Sequence, residues 1–515
     1  MFIGESPQGK RVGLPASDLL THAVVLGRTG SGKSGLSISL LEEVAKSGAN
    51  ALVLDPKGDL TNLALSLSSE AEFAKWCSDP ANERLTHGAG LAQSNLTYRD
   101  VEDWRRNVNV TIYAPGKVSG GGRPINVFPT FACPGTTEQV SRARASREVS
   151  SVLAAVGGNE DAYSPAVVFL TEAILAEWSR KRPLPIEQWP GVLSKPAEHL
   201  RSFGGMALND FFPKGKRTAL ARTLIGFRHQ ADRWLCGEAL NLAAMTSRRK
   251  PEIAVFSMRH LSEEDRLFFA GLLLNKVVEF MFETEASDKL KLLVALDEAR
   301  GYLPPYPYNP PTKGPICTIL AQGRAQGIGM LIGTQNPMDL DYKALSNVGT
   351  WFVGRLRERD CARDLMSELA SRNVGIDDVA EMPQRSFLLL DRNGGHRQFQ
   401  TRWCLNYLFG PMSGGQLMRL EPGRTPVQPV FRPSPPPSPV QSVPTQSAPV
   451  VRVKPAPVAM PVPVPVAKLI SYSEVLLPAE KPTVPWSVRV FDLLGNLGAF
   501  LMVAMVALWL IGRFS

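Results

Sequence analysis

Two rhythms of apolar residues alternate along the first 410 positions. Short, mostly apolar runs sit at residues 23–26, 49–55, 253–257, 290–297 and 329–334, and most end on a turn-forming or charged residue. Runs of this length read as parallel strands buried on both faces. Residues 109–114 (NVTIYA) and 350–353 add two more, and 386–390 with 398–403, around Asn393-Gly394-Gly395, read as a terminal β-hairpin. Residues 1–20 read as a short hairpin or arm leading into the first strand. Between the runs the spacing becomes helical. Leu36, Ile38, Leu40, Leu41 and Val44 follow the first strand, and a long apolar helix covers 265–279 ahead of Glu283-Thr284-Glu285. Residues 60–107 form a polar, partly helical excursion. Strands alternating with helices predict a mostly parallel α/β sheet.

Two regions break the alternation. Residues 136–249 show only helical spacing, which predicts an all-helical insertion between two strands. It carries Arg142, Arg144, Arg147, Arg180, Arg182, Arg217, Arg222, Arg228, Arg248 and Arg249. Singly these are solvated helix faces; together they offer positive charge to a nucleic acid. Past Pro411 the globular pattern stops. Residues 432–466 are dominated by Pro, Val, Ser and Gln and read as an extended spacer or a ligand for a proline-binding module. Residues 493–512 (LLGNLGAFLMVAMVALWLIG) carry no charge and match the roughly 20 residues of a membrane-spanning helix. Trp486 and Trp509 would sit at the two interfaces, and Lys468, Lys481 and Arg489 assign the preceding side to the cytoplasm. The expected organisation is therefore a core at 1–132 and 251–410, a helical insertion at 133–250, a linker at 411–488 and a transmembrane tail at 489–515. The expected location is the cell (inner) membrane, held by a single C-terminal pass with the core in the cytoplasm.

Composition narrows this only a little. The 515 residues are 44% hydrophobic and 20% charged, ordinary for a folded protein. A net charge of +9 permits a polyanionic partner or a membrane surface. The six cysteines, at 77, 133, 236, 317, 361 and 404, include no C-x-x-C pair, which argues against zinc and against a disulfide framework. The first ten residues, MFIGESPQGK, have no apolar core and are no signal peptide.

Three constellations carry chemistry. Gly27-Arg28-Thr29-Gly30-Ser31-Gly32-Lys33-Ser34 fits G-x-x-x-x-G-K-[ST], between an apolar run and a helical segment. Gly27, Thr29, Gly30, Ser31 and Gly32 would cradle phosphates with backbone N–H groups. Lys33 would reach the β- and γ-phosphates of ATP, and Ser34 would hold Mg²⁺. The run 292–296 delivers Asp297-Glu298, an acidic pair in which Asp297 serves the Mg²⁺ and Glu298 accepts a proton from the attacking water. Gln335, in Gly333-Thr334-Gln335-Asn336-Pro337, follows the run expected beside that strand and is the candidate γ-phosphate sensor.

The order GRTGSGKS, LDPKGDL, LDEARGYLP, GRAQGIGMLIGTQNPMDLDYKALSN and TWFVGRLRERD resembles the HerA–FtsK superfamily of P-loop ATPases, and within it the HerA-like proteins. The resemblance covers residues 3–59 and 252–404. It implies a RecA-like core with an additional strand and a ring, usually a homo-hexamer, with ATP at subunit interfaces. It also implies translocation of double-stranded DNA or, in other members, conjugation and secretion. Asp55 or Asp59 resembles a further polar site position. The ring implies an arginine supplied by a neighbour, for which Arg324, Arg355, Arg357 and Arg363 are the candidates. A nuclease or a membrane channel is the implied partner. Three features depart from the family pattern: the P-loop begins at residue 27 with no barrel ahead of it, the apolar tail is C-terminal, and Arg300 stands where many relatives have histidine. Two further readings belong to other classes, a conjugation- or secretion-type motor moving protein and a non-enzymatic, nucleotide-dependent membrane scaffold.

Overall fold

The computed structural model describes residues 1–116, 121–128, 131, 138–156, 164–231, 234, 237–356, 369, 371, 374–392 and 394–420. Eleven strands form one sheet: β1 (Phe2–Glu5), β2 (Arg11–Gly13), β3 (Ala23–Leu26), β4 (Asn50–Asp55), β5 (Asn109–Tyr113), β6 (Glu252–Ser257), β7 (Ser287–Leu296), β8 (Gln326–Thr334), β9 (Thr350–Val353), β10 (Ser386–Leu390) and β11 (His396–Thr401). Their order is β2-β1-β11-β10-β9-β3-β8-β7-β4-β6-β5. From β9 to β5 every pairing is parallel, while β10, β11, β1 and β2 extend the sheet antiparallel. The expected mostly parallel α/β sheet is therefore present, with the hairpin of residues 1–20 on its far edge.

Side chains on a strand alternate between faces, and this builds two cores. Val24, Leu26, Leu52, Leu54, Val294 and Leu296 point to one side; Ala23, Val25, Ala51, Val53, Leu293 and Ala295 point to the other. The second face is covered by α1 (Lys33–Lys46), α2 (Pro80–Gln93) and α3 (Tyr98–Asn107) through Leu40, Leu91 and Trp104. The first is covered by α4 (Glu138–Ala155), α5 (Pro165–Ser179), α6 (Lys214–Ala231), α7 (Glu263–Glu283) and α8 (Lys313–Gln322), with Phe169, Phe269 and Ile319 among the buried contacts.

The differences from expectation have physical reasons. β7 and β8 start three residues before their apolar runs, at Ser287 and Gln326, which pair with each other. Backbone hydrogen bonds extend a ladder where apolar patterning has ended. β11 starts earlier than expected because only Phe399 and Thr401 along it are buried. The insertion is not wholly helical: Ser202–Phe203 pairs with Met206–Ala207, and Ile125–Asn126 with Glu238–Ala239. Much of its arginine is tied within the chain. Arg142 pairs with Glu172, Arg144 with Glu148 and Glu283, Arg180 and Arg182 with Glu177, and Arg248 with Glu252. Arg217 is buried on the Phe212 carbonyl. These side chains do not form a free phosphate-binding face. Finally, folding continues past Pro411: α9 (Gly414–Leu420) buries Leu417 in the second core.

The helix that follows the P-loop is fixed from behind by a buried ion cluster. Arg402, just after β11, is fully buried with its guanidinium 2.7 Å from Glu42 and 3.2 Å from Glu43 of α1. Glu42 also accepts the N–H groups of Leu405 (3.1 Å) and Asn406 (3.0 Å), and Glu43 that of Phe2 (2.8 Å). Among the described residues no helix is long and apolar enough to cross a membrane. The stretch 493–512 and the proline-rich segment lie outside them.

Candidate nucleotide-binding and hydrolysis site

Parallel strands in register end at one level, and the site follows from that. Leu26 is opposite Thr334, Ile332 opposite Leu296, and Leu296 opposite Leu54. The loops that leave β3, β8, β7 and β4 therefore share one edge, where ligands of open α/β sheets bind. β8 lies between β3 and β7, so residue 335 is delivered between the P-loop and the acidic pair.

The P-loop is built to receive phosphate. Gly30 and Gly32 have φ +80° and +100°, which only glycine adopts at little cost. The α1 ladder begins with the N–H of Leu36 donating to Gly32 O (3.0 Å). The N–H groups of Lys33, Ser34 and Gly35 are thus the unsatisfied donors of a helix N-terminus. Lys33 is buried and donates its Nζ to Gly27 O (2.8 Å). Burial pushes its amine below the ordinary lysine value, against the pull of Glu298 and Asp297. Ser31 Oγ is buried with no hydrogen-bond partner. An amine folded onto its own loop and an unpaired buried hydroxyl fit a phosphate group. Ser34 with Asp297 would supply the protein oxygens to Mg²⁺, an ion that keeps most of its shell as water and phosphate.

The acidic pair is held from both sides. Asp297 donates its N–H to Leu54 O (3.2 Å), and burial pushes its carboxyl up to about 6 while Lys33 pulls it down. Glu298 has φ +61°, a left-handed conformation that costs a non-glycine residue of order 1 kcal/mol. The N–H of Ala299 donating to Gly333 O (2.7 Å) holds that turn in place. Glu298 Oε2 accepts two hydrogen bonds, from Gln335 Nε2 (2.9 Å) and Lys57 Nζ (2.5 Å). Burial raises its carboxyl, but these two donors outweigh that and hold it below the ordinary value. Gln335 in turn accepts from Thr29 Oγ1 (2.7 Å). A hydrogen-bonded chain thus runs from the P-loop through Gln335 and Glu298 to Lys57.

The remaining sequence candidates fall in different places. Asp55 is fully buried beside Asp297, and its carboxylate accepts the N–H groups of Gly58 (2.7 Å), Leu60 (2.9 Å) and Thr61 (3.1 Å). Burial and then Asp297 push it up to about 7. It braces the turn that carries Lys57. Asp59 lies further along that turn, its carbonyl accepting from Asn62 Nδ2 (2.6 Å). Arg355 lies against its own chain's P-loop, its carbonyl accepting the N–H of Arg28 (3.0 Å). Arg324 is at the other end of β8, in the turn Gly323–Ala325, facing an open cavity also lined by Arg392. Arg300 is exposed, 3.6 Å from Asp339. Arg357 and Arg363 lie outside the described residues.

Two residues were not singled out from the sequence. Lys57 sits in the Asp55–Asp59 turn, where a lysine right after a strand at the same sheet edge was the available signal. Arg385 backs the P-loop: its N–H donates to Ser31 O (2.9 Å), and a Cβ on Gly32 would come 3.1 Å from its Cα. Its guanidinium lies over the Trp403 ring at 4.6 Å. Nothing local in the sequence announces that contact.

A strand, a phosphate cradle and a helix, with one further strand between cradle and acidic pair, define the fold of the P-loop nucleoside triphosphatases of the additional-strand kind. Residues 1–102 match the family model described as the central domain of the helicase HerA, and with it the HerA–FtsK superfamily resemblance of the motifs is borne out. No curated protein matches the chain. Among solved structures, VirB4 of Thermoanaerobacter pseudethanolicus is similar at 12% identity, covering 78% of this chain and 96% of that one, with a TM-score of 0.46. The plasmid coupling protein TrwB in complex with ADP and Mg²⁺ is similar at 13% identity, covering 79% and 90%, with a TM-score of 0.48. The genome-packaging NTPase B204 of Sulfolobus turreted icosahedral virus 2 is similar at 18% identity, covering 31% and 72%, with a TM-score of 0.23.

Proposed function

We propose that this chain is the subunit of a ring-forming, ATP-hydrolysing motor that translocates double-stranded DNA and is tethered to the membrane through residues 493–512. The observation that carries the reading is the Thr29–Gln335–Glu298 chain, which joins a phosphate cradle to a carboxylate positioned to act as base. The loop of Gly27, Thr29, Gly30, Ser31 and Gly32 with Lys33 binds the phosphates. Ser34 and Asp297 serve Mg²⁺, which when bound offsets charge on the β- and γ-phosphates. Glu298 takes the proton of the attacking water, and Gln335 senses the γ-phosphate.

The length of β8 supports the ring reading. Nine residues at about 3.3 Å each separate Arg324 from Gln335 by roughly 30 Å. Arg324 is out of reach of its own P-loop and fits the role of an arginine offered to a neighbour. Arg355 lies beside its own P-loop and fits service within one chain. Turnover of ATP by purified protein, with and without duplex DNA, tests the reading, alongside a mass measurement with ATP. Stimulation by DNA and loss of at least 100-fold in turnover for Lys33→Ala and Glu298→Gln are expected. Unchanged turnover in both variants overturns the site.

One observation favours a protein cargo as the second reading. The loop after the acidic pair holds Tyr306 and Tyr308 at 90% and 72% exposure, and Met338 is exposed on the next loop. The two loops are joined by Lys313 with Asp341 (2.7 Å) and by the Asp341 N–H donating to Leu303 O (2.9 Å). Asp339 and Asp341 offset Arg300 and Lys313 there and leave Lys343 as the one further cation among the described residues of the two loops, so the surface offers little positive charge to a phosphate backbone. Turnover indifferent to DNA, with co-purification of membrane channel components, would select a conjugation- or secretion-type motor.

A further inference from the structure

Lys57 has no role in the reading above, yet it makes the shortest contact in the site. Its Nζ is 2.5 Å from Glu298 Oε2, the same oxygen that accepts from Gln335. Its position is built. Asp55 gathers three backbone N–H groups of the turn that carries it, and Gly58 closes that turn at φ +91°, where a Cβ would come 3.2 Å from the Arg259 side chain. Glu298 is likewise fixed, by its left-handed backbone and the Ala299–Gly333 hydrogen bond.

A carboxylate oxygen that accepts from an ammonium and an amide is a poor base for water, because both donors compete for its lone pairs. The other end of the chain is the P-loop itself, since Gln335 Oε1 accepts from Thr29. Occupation of the P-loop by a triphosphate places new acceptors beside Gln335 and Lys33. Gln335 then has a competing partner for its amide N–H, and the donor set on Glu298 is reduced at the point where turnover must begin.

We propose that Lys57 is a latch on Glu298, a positioning residue that with Gln335 keeps the base occupied while the P-loop is empty and that remains as the one restraint on it once a bound γ-phosphate has drawn Gln335 away. This rests on the reading of Glu298 as the base. The latch restrains hydrolysis until all parts of the site are engaged, so its removal increases turnover rather than reducing it. Lys57 is 40% exposed, and the ion pair is correspondingly modest.

The test is steady-state ATP turnover of the full chain without nucleic acid or protein cargo. Lys57→Met keeps the apolar stem and is expected to raise the cargo-free rate about three- to tenfold, with KM for ATP within about twofold. Lys57→Gln, measured beside it, guards against a folding defect in either variant. Lys57→Arg keeps the pair and the low rate. Glu298→Gln and the double variant Lys57→Met/Glu298→Gln are both expected to be inactive, which places the gain on Glu298. Unchanged or reduced turnover in both Lys57→Met and Lys57→Gln, with Glu298→Gln inactive, overturns the latch and leaves the base. Persistent turnover in Glu298→Gln overturns the base, and the latch with it.

Discussion

Arg402 shows how far a single side chain can be from anything the sequence announces. It follows a strand near the end of the described residues and closes an ion cluster on α1, about 360 positions earlier in the chain. Removing one partner of a buried pair leaves the other charge unsatisfied, so Arg402→Ala is expected to cost about 3–5 kcal/mol, read from urea unfolding. A cost under 1 kcal/mol would show that the cluster is not a stabilising brace. The same distance in sequence explains what was legible at the site. Gly27 to Ser34, Asp297-Glu298 and Gln335 each stand in a short pattern that encodes its own strand and turn. Lys57 against Glu298, and Arg385 against Gly32, are contacts between segments that only the folded sheet brings together.

At the scale of elements, apolar runs located nearly every central strand, because burial on both faces leaves a continuous signature. Edges were less legible: β7 is extended by the exposed Asp288 and Lys289, β8 by the half-buried Gln326 and by Gly327, and α9 has only one buried side chain, Leu417. The junction of α4 with α7 was not legible at all. There Glu148 is buried facing Glu279, with Arg144, Arg147, Lys276 and Glu283 around it. Burial and then Glu279 push the Glu148 carboxyl up to about 7, although Arg144 donates to it at 2.8 Å. Its folded value lies above the unfolded one, so the native state binds the extra proton between about pH 4.5 and 7, and stability falls as pH rises through that window. Glu148→Gln is expected to remove a pH dependence on the order of 1–3 kcal/mol, read as unfolding midpoints at pH 5 and pH 8. A wild-type midpoint that rises with pH to the same extent as the variant's would contradict this.

At the scale of the molecule, the proposed ring assigns Gln335 and Arg324, at opposite ends of β8, to two different nucleotide sites. A mixing experiment follows. Arg324→Ala retains an intact P-loop, and Lys33→Ala retains an intact Arg324. Each alone is expected to be inactive, and mixed subunits to recover a fraction of turnover where the two intact halves meet. Mixing that recovers nothing, with both variants assembled, would remove Arg324 from the neighbour's site. The arginine-rich insertion was the feature that sequence reading weighted most differently from the structure. Positive residues read as a surface were found paired with Glu148, Glu172, Glu177 and Glu252, which spacing along a helix does not reveal.

The cluster at Arg402 also has a mechanical meaning. Residues 402–412, which precede α9, are bonded to α1 through Glu42 and to the 60–65 segment through Asn62 and Leu65. Tension applied from the C-terminal side of α9 would meet Leu417 and the 60–65 contacts, and then α1, the helix whose N-terminus is the phosphate cradle, before it reached β11. In the proposed motor, a subunit held by its C-terminal end and pulled by its cargo would carry strain through its nucleotide site, so resistance would be expressed directly as a change in ATP turnover.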